Sequence, residues 1–171
     1  MDFLRRKYIS KCADIIRENF DIEVPIYDME QVVNKLNGVI QEVEGYSFEN
    51  RIIQSEDGGF IIQLFSKQSR TSRNFTIAQS LGHIFLHMGY MSNQELWDNY
   101  DFESRNESLD AIKYDEDEFA TSFLMPKKQY MDYVYEQQQS GKIDTFDISR
   151  YFNVPNGVAV NRGKWLGALQ W

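Results

Sequence analysis

The most chemically suggestive run in the chain is Gln79-Ser80-Leu81-Gly82-His83-Ile84-Phe85-Leu86-His87. A zinc peptidase helix of the His-Glu-x-x-His type sets two imidazoles four residues apart so that both reach one metal ion. The Glu beside the first imidazole then activates the metal-bound water. In the frame that ends at His83, an amide, Gln79, stands in place of the first imidazole, and a hydroxyl, Ser80, in place of the base. In the frame that begins at His83 both imidazoles are present, but Ile84 occupies the place of the Glu. That second frame leaves one alternative open: His83 and His87 with an acid from Asp115–Glu118, chiefly Glu116, as a rearranged two-His, one-acid zinc site. Without such a partner His83 reads as a buried, hydrogen-bonded histidine, and Gln79 is placed to bond it where an imidazole would have pointed. A Ser80–His83 nucleophilic pair would need an orienting group and an oxyanion site, and the sequence offers no sign of either.

These residues need a helix to carry them, and the periodicity provides it. Apolar spacing predicts helices over 3–20 and 29–36, the second capped by Asp28 and closed near Gly38. The period then drops to two through 39–43, 51–54 and 59–65, with Glu56-Asp57-Gly58-Gly59 as a hairpin turn. A long helix from Ser72 through His87 follows, then one from Asp110 to Met125 that stops before Pro126, and a third near 130–138. The tail around Asn153-Val154-Pro155 has helix-turn-helix proportions. The expected class is α+β, with a small, mostly antiparallel sheet of about three strands on a helical core. The expected organisation is a domain over 1–139 and a helical tail over 140–171 packed on it.

The 171 residues suit a single core, and 42% hydrophobic content supplies enough apolar surface to build one. The formal net charge is −8, and the segment from Glu95 to Glu118, ten acids against Arg105 and Lys113, equals that whole excess. A surface of this sign repels a phosphate backbone, so direct nucleic-acid binding is disfavoured and the tail cations Arg150, Arg162 and Lys164 read as part of a packed cap. If no metal sits beside the acids, a basic protein surface is their expected complement. One cysteine, Cys12, permits no internal disulfide, and no apolar run approaches the roughly 18 residues of a membrane span. The opening Met-Asp-Phe-Leu-Arg-Arg reads as helix rather than signal, so the expected compartment is the cytoplasm.

The residues flanking the altered site resemble the ImmA/IrrE family of metallopeptidases. That family's helix typically reads F-x-x-A-H-E-L-G-H-x-x-L-H, and Phe75, Ala78, Leu81, Gly82, His83, Leu86 and His87 match it. Phe119-Ala120-Thr121-Ser122-Phe123-Leu124-Met125-Pro126 is similar to the family's F-A-x-x-L-L-M-P block, and Asn161–Gly167 looks like the tail of phage and mobile-element members. The resemblance implies a zincin-like core and zinc ligands at Gln79, His83 and Lys113, the last from a Glu six residues before Phe119. Two of those three positions carry side chains unsuited to the metal. The implied reading is a pseudo-peptidase without cofactor that acts by binding a protein, such as a helix-turn-helix repressor or an antitoxin. The alternative is an active zinc endopeptidase built on His83, His87 and Glu116 that cleaves a repressor.

Overall fold

A computed structural model describes residues 2–44, 51–65, 67–101 and 108–170. Two helices, α1 (Phe3–Asn19) and α2 (Met29–Lys35), precede three strands, β1 (Gly38–Val43), β2 (Arg51–Gln54) and β3 (Phe60–Phe65). Helices α3 (Arg70–Leu86), α4 (Gln94–Asp98), α5 (Leu109–Leu124) and α6 (Lys127–Gln139) follow, then α7 (Thr145–Phe152) and α8 (Asn156–Leu166). The class is α+β, mostly helical, as the periodicity predicts.

The sheet order is β1-β3-β2, and the pairing is mixed rather than mostly antiparallel. β2 and β3 form the expected hairpin, its turn closed by Ser55 N–H to Gly59 O at 3.0 Å, with Gly58 at φ +82°. β1, however, pairs parallel to β3 along its whole length, Gly38 opposite Phe60 through Val43 opposite Phe65. Burial explains the order. β3 alternates fully buried Phe60, Ile62 and Leu64 with half-buried neighbours, so it takes the central position, while the less apolar β1 and β2 become edges. Alternation reports which face of a strand is buried, but it says nothing about the partner strand's direction.

α5 packs against α1 on one side and α3 on the other. Ser69 caps α3 through its side chain to Ser72 N–H, so the helix starts at Arg70, two residues before the expected start, and Ser108 caps α5 through Ala111 N–H. Gly82 lets α3 and α5 approach closely: a Cβ built there would lie 3.0 Å from Phe119 Cβ. The site run on α3 is therefore held directly against the Asp115–Glu118 run on α5. Tyr90 and Trp97 pack at 4.8 Å in the segment that includes α4, a five-residue helix too short for its period to be read from sequence.

The tail shares the core: Ile148, Phe152, Val154 and Ala159 are fully buried. Asn153, at φ +54°, makes the left-handed turn between α7 and α8, which gives the helix-turn-helix outline. Tyr130 on α6 donates its hydroxyl to Ala159 O at 2.7 Å, and burial pushes that phenol up to about 12. Gly163 sits so close beneath that a Cβ would lie 2.5 Å from Tyr130 Oη. Among the described residues no helix is long and apolar enough to cross a membrane.

These tail contacts predict that Tyr130→Phe, which removes one buried hydrogen bond from a carbonyl that keeps its place within helix α8, costs about 0.5–1.5 kcal/mol of stability. The loss should appear as one shift of a single urea transition, coincident by Trp fluorescence and far-ultraviolet circular dichroism. A tail that melts separately would contradict the shared core.

Candidate functional site

Four consecutive acids on α5 face three different elements, and each is engaged. Asp115, almost fully buried, accepts from Arg5 of α1 at 2.9 and 3.0 Å through Nε and through a shorter contact from Nη2. His87 Nε2 lies 3.6 Å from the same carboxylate. Glu116 Oε1 lies 2.6 Å from His83 Nδ1 on α3. Asp117 accepts from the Gln79 amide at 2.5 Å. Glu118 lies 2.9 Å from Arg6 Nε of α1 and 3.4 Å from Arg162 Nη1 of α8, and accepts from Ser122 at 3.1 Å.

The expectation that these acids lack internal neutralisation is thereby corrected, because α1 and the tail supply the cations. Arg162 also donates to Met125 O at 3.1 Å and lies 2% exposed, so this tail residue is turned into the core. Burial pushes the Glu118 carboxyl up, while Arg162, Arg6 and Ser122 pull it down. Burial likewise pushes the Arg162 guanidinium down. The rest of the acidic run includes residues 102–107, which lie outside the described residues.

His83 is held at both nitrogens. A carboxylate only accepts, so Glu116 fixes the proton on Nδ1, and a neutral ring then uses its Nε2 lone pair to accept the Tyr100 hydroxyl at 2.7 Å. The Tyr100 ring meets the imidazole edge to face at 5.8 Å. Gln79 bonds Asp117 rather than His83, the partner its position suggests. Ser80 donates to Thr76 O, one turn back along its own helix, at 3.1 Å.

Gln79, Ser80, His83, Lys113 and Glu116 all line one groove of about 780 Å³, together with Tyr100 and all four residues of β2. His87 does not line it and turns to Asp115, although its ring centre is 5.5 Å from that of His83. The alternative ligands His83, His87 and Glu116 are thus neighbours with separate bonding partners. Among the described residues no three His, Cys, Asp or Glu side chains gather as metal ligands would.

A family model, the IrrE N-terminal-like domain of the M78 peptidases, matches residues 30–164. The chain belongs to that family. A comparison with curated proteins returned no match. The groove is where the resemblance puts the zinc of an IrrE-like domain. At the family's ligand and base positions, however, stand one imidazole with a preoccupied lone pair, an amide, a hydroxyl bonded to backbone and an ammonium, and the carboxylate beside them, Glu116, is bound to that imidazole; these do not fit the metal.

Sequence reasoning missed Tyr100, Arg5, Arg6 and β2 as parts of the site. Tyr100 follows His83 by 17 residues through a short helix and loop, and no periodic pattern links them. Arg5 and Arg6 reach across |i−j| of about 110 residues, which no local signal encodes.

These contacts predict that Glu118→Ala loses about 3–5 kcal/mol, because it leaves the buried Arg162 charge without its carboxylate. Asp117→Ala, which removes one half-exposed amide bond, should lose no more than about 1.5 kcal/mol. Denaturant melts of both variants check the contrast, and equal losses would contradict it.

Proposed function

We propose that this IrrE-like protein is a pseudo-peptidase: it keeps the peptidase groove, does not hydrolyse, and acts by binding a protein. The observation that carries the reading is the engagement of both His83 nitrogens, by Glu116 and by Tyr100. A zinc ligand needs that Nε2 lone pair, and a hydrolytic site needs a base beside it where Ser80 bonds its own helix. The interaction of Gln79 with Asp117 supports the same view, since the two substituted groups have found partners within the protein.

The groove is suited to an extended chain. Adjacent side chains of a strand point to opposite faces, so a wall that includes Arg51, Ile52, Ile53 and Gln54 together is formed by the strand's edge. β2 pairs with β3 on one side only, and among the described strands nothing pairs its other side. An unpaired edge offers backbone N–H and C=O groups to an incoming segment. The occupant proposed is a segment of a helix-turn-helix repressor or an antitoxin, in the cytoplasm of a host that carries a phage or mobile element. Family likeness supports that choice of partner.

Protein purified without chelator should contain well under one equivalent of zinc and should cleave no repressor. Stoichiometric zinc that is lost in His83→Ala would overturn the reading. The triple variant Gln79→His, Ser80→Glu, Lys113→Glu restores the family residues in one groove and should take up zinc. If it folds and takes none, the groove is not a former zinc site.

A further inference from the structure

The chemistry of the groove's occupant can be read from which charges are already engaged. Among its described lining residues the one carboxylate, Glu116, is bound to His83. Two cations line the same groove, Arg51 on β2 and Lys113 on α5. Both are exposed, and among the described residues neither side chain makes a hydrogen bond or an ion pair. Below the groove, Asp115, Asp117 and Glu118 are occupied by Arg5, Gln79, Arg6 and Arg162, so no α5 acid from 115 to 118 is left to neutralise Lys113. The groove therefore presents free positive charge from two walls on a chain whose overall charge is −8.

We infer that the groove selects an acidic extended segment, which lies along the β2 edge and sets carboxylates against Arg51 and Lys113. This rests on the peptide-binding reading above and reverses the charge expected of the partner from the acidic run alone. The strand edge supplies backbone hydrogen bonds without regard to sequence, and the two cations supply the selection. Lys113 has a particular part in this. At the position where the family resemblance places an anionic metal ligand, a cation converts a metal-facing wall into one that attracts a partner's carboxylate. The net negative charge of the whole chain gives acidic peptides no general attraction, so binding that depends on both cations identifies the groove.

The test uses three capped peptides of about nine residues, alternating Thr and Val with Glu, with Gln or with Lys, measured by fluorescence anisotropy at pH 7. Amide signals of Ile52 and Ile53 locate the binding. The Glu peptide should bind about tenfold more tightly than the Gln peptide, and Arg51→Ala with Lys113→Ala should remove that advantage. Both residues are exposed, so the double variant should keep the parent's melting curve. If the Gln peptide binds the groove as well as the Glu peptide, acid selection is wrong and the peptide groove stands. If none of the three perturbs Ile52 and Ile53, both readings fall. If the Lys peptide wins, or a single-stranded oligonucleotide occupies the same cations in preference to the Glu peptide, the inference is overturned.

Discussion

Asp115, Glu116, Asp117 and Glu118 are four adjacent like charges on one helix, and the structure depends on neutralising them. Successive helical residues point about 100° apart, so a single partner element cannot serve all four. α1 brings Arg5 and Arg6, α3 brings Gln79 and His83 with His87 at its C-cap, and α8 brings Arg162. Each contact ties a separate part of the chain to α5, so the N-terminal helix, the site helix and the tail are fixed relative to one another by the same acidic run. In an isolated helix such a run would be destabilising. Here the two most buried members, Asp115 and Glu118, carry guanidinium partners, which meets the rule that buried charge must be paired.

The same arrangement explains how a site missing its family residues keeps a defined geometry. In a zinc peptidase the metal draws its ligands together. In this chain the side chains at two of the corresponding positions, Gln79 and His83, are held to α5 and its neighbours by hydrogen bonds. His83 is clamped between Glu116 and Tyr100, and Gln79 is fixed by Asp117. Lys113, on the same helix but one turn earlier, stays outside this network and faces the groove. The buried side of the site is thus internally satisfied, whereas its open side presents a strand edge and two exposed cations.

Much of this was legible in the sequence where local rules govern. Helical period located α1, α2, α3 and α5, Pro126 marked the end of α5, and Glu56–Gly59 marked the hairpin. The altered residues Gln79 and Ser80 were identified from motif spacing and Lys113 from the family resemblance, and the structure places them in one groove with His83 and Glu116. The parallel pairing of β1 with β3 was not legible, because it depends on which strand is most apolar and therefore central. Nor were the partners of the α5 acids. A carboxylate run reads as a solvated face unless the distant Arg5, Arg6 and Arg162 are known to return to it. Tyr100 escaped notice for a related reason: it is delivered to His83 by the chain's path after α4 rather than by any spacing along a helix.

The central claim is that His83 is occupied within the protein at both nitrogens, and the most direct measurement is the nitrogen chemical shifts of its ring by nuclear magnetic resonance. The account predicts a ring protonated at Nδ1, with signals that stay in place when one equivalent of zinc is added. A ring protonated at Nε2, or an Nε2 signal that moves to a metal-bound shift on adding that zinc, would contradict it.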